Sequence, residues 1–256
     1  MRFKLESREW SNVLNAASAY QDEAVLNLKE DGILMRVHDA SQTAVYNTLI
    51  PRSAMTEYER GEFNRMGLHV DEHADITPSS DDEVLVELDG HKIRTVVGSR
   101  DYKIPNIDPD HVSGTAEMIP SLSLPVSITL DPEKILSFIA DAGSHVHKNK
   151  GGHFFIQAQD GILALWSRRD DYELVEHFHW EDFEDYNIDW DKATPSDTMK
   201  GNPSEDKQIV SIMSIALTKS MQFFSDVARL EFGHAMPMKM VSESESGIKH
   251  SWIVPP

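Results

Sequence analysis

The sequence predicts an α+β chain of two tandem, similar domains, each with two short helices against antiparallel sheets. Three observations lead there. Asp31-Gly32-Ile33-Leu34 returns letter for letter as Asp160-Gly161-Ile162-Leu163. Around each copy the chain repeats one order, strand, helix, strand, glycine turn, strand. Strand-like segments alternate apolar and polar residues, the pattern of a sheet with one buried and one solvated face.

In the first copy the order is Phe3-Lys4-Leu5, an amphipathic segment from Ser7 to Ala19, then Ala24-Val25-Leu26-Asn27-Leu28 before the glycine turn. The second copy answers with Ile128-Thr129-Leu130, Pro132 to Ala142 and His153 to Ala158. A second short helix and closing strands complete each half, with helices expected at Asp71 to Ile76 and Ala216 to Phe224. A repeat of roughly 125 residues is too long for a solenoid unit and suits a pair of domains. The expected division is 1–115, a connector at 116–126, and 127–256. The acidic, aromatic stretch from Trp180 through Lys207, interrupted by Pro195, Gly201 and Pro203, is expected as a long outward loop.

The 256 residues, 40% apolar, suffice for two cores of ordinary size. With no cysteine there is no thiol nucleophile, disulfide framework or Cys-ligated metal. No apolar run resembles a signal peptide or a membrane span, so a cytoplasmic protein is expected. The 43 acidic residues against 24 basic give a formal net charge of -19. Such a surface normally repels a polyanion. It also suits a high-salt interior, because in molar salt the Debye length falls to about 3 Å and self-repulsion is screened.

No Gly-x-Ser-x-Gly, Walker loop, dinucleotide-binding glycine pattern or His-Glu-x-x-His is present, and the chain is not expected to be an enzyme or to need a cofactor. The rival reading is an acidic metal-dependent hydrolase using His145, His147, His177 and His179. His-x-His in a strand would put both rings on one face, where solvation is the commoner state.

Phe232-Gly233-His234-Ala235-Met236-Pro237-Met238-Lys239-Met240, a turn at Gly247, and Ile248 to Pro255 resemble the closing hairpin and tail of the proliferating cell nuclear antigen family, the DNA sliding clamps of archaea and eukaryotes. Met118 to Pro125 resembles its interdomain connector, Val37 to Val45 the loop that faces the connector, and Gly98 to Ile104 its edge strand. The resemblance implies a ring of three subunits that encircles double-stranded DNA with helices lining the hole. It implies a processivity factor tethering DNA polymerase, clamp loader, flap endonuclease and ligase through short peptides. A clamp relative acting in a heterotrimer is a further alternative.

Carried residue by residue, the resemblance gives three surfaces. The peptide groove is Gln42, Val45, Met118, Ile119, Pro120, Leu122, Pro237, Trp252, Ile253, Val254 and Pro255, nearly all apolar. The subunit joint pairs Arg100, Asp101, Tyr102, Lys103 and Ile104 with a strand carrying Tyr172, Leu174 and Glu176. The DNA-facing residues are Arg8, Lys134 and Lys219, with Lys148 and Lys150 beside the third helix. The four helices hold only three basic residues against six acidic ones, a departure from the family that weakens any Coulomb grip on DNA.

Overall fold

The computed structural model describes all residues except 114, 116–118, 120, 149–151, 160, 193, 196–206, 215–226 and 256. It contains two compact units, Met1–Ile119 with Glu243–Ser251, and Pro120–Ser242 with Trp252–Pro256. The end of the chain is thus shared between the two units.

The first unit runs β1 (Arg2–Glu6), α1 (Ser7–Ser18), β2 (Glu23–Lys29), β3 (Gly32–His38), β4 (Val45–Pro51), β5 (Glu57–Glu59), β6 (Arg65–His69), α2 (Val70–Ile76), β7 (Glu83–Asp89), β8 (Lys92–Val97) and β9 (Arg100–Pro105). One sheet has the order β5-β1-β7-β8-β9; β4-β3-β2-β6 belong to another. Both are antiparallel. Burial alternates along β1 and β8 as the pattern demanded, and α1 turns Trp10, Val13, Leu14 and Ala17 inward. Phe3 meets Trp10 edge to face with ring centroids 5.3 Å apart, joining β1 to α1 at the centre of this core. The repeated glycine at position 32 opens β3 with φ 150°, and a side chain there would collide with the Ile50 carbonyl on β4.

The second unit runs β10 (Val126–Leu130), α3 (Pro132–Asp141), a π-type turn (Ala142–Val146), β11 (His153–Gln159), β12 (Ile162–Arg169), β13 (Tyr172–His179), β14 (Asp185–Ile188), β15 (Thr194–Pro195), β16 (Lys207–Ser214), β17 (Ala228–Phe232), β18 (Met238–Glu243) and β19 (Lys249–Val254). The Lys249–Ser251 part of β19 belongs to the first unit. Asp131 caps α3 by accepting from the Glu133 N–H at 2.9 Å, and Pro132 fills the first turn, where its missing N–H costs nothing. The pairings β10–β17, β17–β18, β11–β12, β12–β13 and β11–β16 repeat β1–β7, β7–β8, β2–β3, β3–β4 and β2–β6. The duplication therefore extends from a tetrapeptide to the strand order.

Helix limits differ from the sequence reading by a residue at several ends, and α2 starts at Val70, not Asp71. The fourth helix expected at Ala216 to Phe224 lies outside the described residues. The stretch from Trp180 is not a free loop in its described part. β14 pairs with β10 and β15 with β16. Trp180 and Phe183 are buried, and Trp180 donates its indole N–H to the Gln159 carbonyl at 3.0 Å. Aromatic residues spaced through the acids supplied an apolar face for the edge of the second unit, and that face overrode the polar composition.

Candidate functional site

The two strands expected at the subunit joint are β9 and β13, and each ends its sheet. On β9, Asp101 and Lys103 are held outward. Arg94 on β8 donates to Asp101 at 2.9–3.1 Å, keeping that carboxyl below its ordinary pKa, and Lys103 reaches Asp89 at 3.0 Å. Tyr102 and Ile104 alternate with them and are half-buried, while Arg100 is exposed. On β13, Leu174 and Glu176 are half-buried, and the Tyr172 ring is exposed with the Lys148 ammonium 4.5 Å above its centroid. β9 and β13 hold six and eight residues, long enough for a ladder of backbone hydrogen bonds. An open edge of that length is a pairing template.

Duplication adds a second argument. In the repeated order β13 corresponds to β4, and β19 to β9. β4 and β19 are neighbours in one sheet. Among the described residues, the same two kinds of edge are therefore joined once within the chain and end a sheet once.

The loop between β3 and β4 is built on Asp39. Its carboxylate accepts from the backbone N–H groups of Thr43 and Ala44 at 2.7 Å each and of Ser41 at 3.3 Å, and from the Ser41 hydroxyl. Burial alone would raise its pKa, but these donors outweigh it and hold the carboxyl below the usual value. The turn so fixed presents Gln42, exposed and with φ 58°, at its tip, followed by half-buried Val45. In the second unit, the Met236 carbonyl accepts from Ser211 at 2.6 Å and the Ala235 N–H donates to Val210, so the turn before Pro237 is tied to β16.

The remaining groove positions divide. Ile119, Leu122, Pro237 and Pro255 are half-buried. Met118 and Pro120 lie outside the described residues. Trp252 and Val254 are wholly buried and Ile253 is 4% exposed. The tail reads as an uninterrupted apolar run, and such a run in a strand is the pattern of burial on both faces, not of an exposed pocket.

Beside the tail, His250 is buried and stacks on Tyr46, whose hydroxyl lies 3.0 Å from its Nδ1. Burial pushes the imidazole down to about 3 and the Tyr46 phenol up. The unfolded chain takes up this proton near the usual 6.5, whereas the folded chain resists down to about 3. Its contribution to stability is therefore complete above 6.5 and is lost as pH falls through that window, at up to about 1.4 kcal/mol per pH unit. The urea midpoint of the wild type is expected to fall more between pH 7 and pH 5 than that of His250→Gln; equal falls would mean that another group governs the acid sensitivity.

The residues expected to face DNA are few and, where described, engaged within the chain. Arg8 is ion-paired with Asp81. Lys134 reaches the Asp182 carbonyl at 3.4 Å and lies 5.9 Å from the Phe183 ring. Lys148 covers Tyr172 of the edge strand. Lys150 and Lys219 are outside the described residues. The metal reading fares poorly. His145 and His147 do not share a strand: they flank the end of the π-type turn, and His147 is buried, 2.8 Å from the Ser167 hydroxyl. His177 and His179 do share the outward face of β13. Among the described residues no three His, Cys, Asp or Glu side chains gather as a metal site, and no helix is long and apolar enough to cross a membrane.

Sequence reasoning missed the Asp39 turn, the Tyr46–His250 stack and the buried tail. Only the first had a legible signal, an Asp followed by Ser and Thr at the spacing of a side-chain-capped turn.

No family model matches the chain. Curated relatives do. It is 28% identical over 171 residues to the DNA polymerase sliding clamp of Archaeoglobus fulgidus, covering 64% of this chain and 69% of the relative. It is 24% identical over 259 residues to that of Methanococcus vannielii, covering 98% and 96%. Among solved structures it superimposes on A. fulgidus PCNA, crystallised with the C-terminal region of FEN-1, with a TM-score of 0.82 at 20% identity over 100% of this chain and 97% of that one. The PCNA of Thermococcus kodakaraensis gives 0.80 at 17% identity, over 100% and 99%.

Proposed function

We infer that this chain, which belongs to the proliferating cell nuclear antigen family of DNA polymerase sliding clamps, works as a processivity factor: a closed ring of identical subunits that holds replication enzymes on the duplex it encircles. The observation that carries the reading is the pair of open edges, β9 and β13, whose counterparts β19 and β4 are already neighbours in one sheet. Pairing β9 of one copy with β13 of the next satisfies both edges by the same geometry, and a heterologous joint of this kind must close into a ring or polymerise. The ring closes as a homotrimer, each subunit carrying two similar domains, 1–115 and 127–256, joined by a connector at 116–126.

The protein performs no chemistry. It supplies an apolar docking place for a partner peptide, with Gln42 at the tip of the Asp39-capped turn and Val45, Ile119, Leu122, Pro237 and Pro255 as its half-buried members. A flap endonuclease tail is one expected occupant, by analogy with the A. fulgidus PCNA structure; polymerase, clamp-loader and ligase peptides are others. The hydrolase alternative has no support from the relatives, nor from a cluster of ligands among the described residues. A cytoplasmic, high-salt setting fits the net charge of -19.

Light scattering across a salt series tests the assembly: the mass of three chains supports the ring, and a monomer at every salt concentration and at micromolar protein sinks it. Retention on DNA is expected to be topological. Phosphate contacts give a log–log salt slope of about -0.9 each, and Arg8, Lys134, Lys148, Lys150 and Lys219 allow few. The free protein should show no measurable affinity for short linear duplex at physiological salt, yet stimulate its polymerase in molar salt. Tight binding to open-ended duplex, lost steeply as salt rises, would reveal a basic holding surface elsewhere.

A further inference from the structure

Each of the two edge strands places one charge on the face that carries the core. In the β8–β9 register Arg100 stands opposite Val97, Tyr102 opposite Thr95 and Ile104 opposite Ile93, and all three partners are buried. Residues directly opposite share a face, so Arg100 lies on the core side of β9. On β13, Leu174, Glu176 and Phe178 stand opposite Ser167, Leu165 and Leu163, each fully buried, which puts Glu176 on the core side as well. No other residue of either strand brings a charge to that face.

The neighbouring charges are already engaged. Arg94 holds Asp101, Asp89 holds Lys103, and Glu173 stands opposite Arg168 on the outward face. Among the described residues Arg100 and Glu176 have no hydrogen-bond or ion-pair partner. Arg100 is exposed, whereas Glu176 is half-buried in the row of Leu165, where a carboxylate gains from a charged donor.

We propose that Arg100 pairs with Glu176 of the partner subunit, and that this ion pair selects which edges meet; the pairing rests on β9 meeting β13 between copies, as inferred above. The strands of both sheets pair antiparallel. An antiparallel joint with Tyr102 opposite the partner's Leu174 sets Arg100 opposite the partner's Glu176. A slip of two residues either way leaves them diagonal, still within reach of so long a side chain. Wrong pairings lose the contact. Two copies of β9 bring only positive charge to this face and two of β13 only negative, and an inward charge on an edge strand is a device that refuses such partners. Where the counterparts β4 and β19 meet inside the chain, the polar contact is the buried Tyr46 hydroxyl 3.0 Å from His250 Nδ1. That junction has its partner by covalent connection, whereas free copies have to choose theirs.

Arg100→Glu, Glu176→Arg and the variant carrying both are compared with the wild type by light scattering over a dilution series at one fixed salt concentration. An exposed ion pair by itself contributes little; the effect read is the exchange for like charges, repeated at every joint. Each single change should raise the concentration at which the three-chain mass is lost by at least about tenfold, and the double variant should return to within about threefold of the wild type. Tagged wild type mixed with untagged double variant should sort, the tag retaining no untagged chain, because every mixed joint opposes like charges. The sorting decides even where a single variant fails to fold, and a merely structural role for either residue would produce neither recovery nor sorting. Single variants that assemble like the wild type, a double variant no better than either, or mixed rings retained by the tag would overturn the ion pair and leave the ring standing. A wild type with the mass of one chain at every concentration would remove both.

Discussion

Tyr102→Ala is expected to leave the protein monomeric at micromolar concentration. Tyr102 sits half-buried on β9, between the outward Asp101 and Lys103, so its ring is the bulkiest group the strand can offer to a neighbouring chain without disturbing the Arg94–Asp101 ion pair. Removing an aromatic anchor from a small interface costs on the order of 2 kcal/mol or more, a loss of about thirtyfold per joint. A closed ring suffers that loss at every joint, which is why one substitution suffices. Leu174→Asp on β13 should give the same result from the opposite strand. The masses of both variants by light scattering check the expectation, and an intact ring in either would remove that strand from the joint.

Trp252→Ala is expected to lower unfolding stability by about 3–5 kcal/mol, because the indole is fully buried and its loss leaves a cavity. Weaker peptide binding by that variant would therefore report damage to the fold. Ile119→Asp separates the two: Ile119 is half-buried, so the charged side chain should leave the melting temperature within a few degrees while abolishing binding of a polymerase-tail peptide. Thermal melting and peptide titration on both variants decide it. An Ile119→Asp protein with undiminished peptide affinity would place the groove elsewhere.

Periodicity made the described strands of both repeats and the helices α1 and α3 legible, because alternation in β8 or β11 and the apolar stripe of α1 are local consequences of burial. The edges were legible through the resemblance alone, since nothing in Arg100-Asp101-Tyr102 distinguishes an edge strand from any other exposed one. Trp252, Ile253 and Val254 are ambiguous in sequence for a related reason. An apolar residue reads the same whether it walls a groove or fills a core, and only the packing around it decides. The stretch from Trp180 to Asp191 misled in the other direction: its carboxylates suggested a solvated loop, while Trp180 and Phe183, a minority of the residues, anchor it.

The kinship of β4 with β13 and of β19 with β9 has a kinetic consequence. A junction made inside one chain forms while that chain folds, at an effective concentration that dilution cannot lower. Its counterpart made between chains depends on how many copies the cell supplies. In the proposed homotrimer, doubling the domain within a single polypeptide would make half of the joints insensitive to abundance and leave the other half as the places where the ring opens. Those weak points would be chemically alike, and none would lie within a subunit.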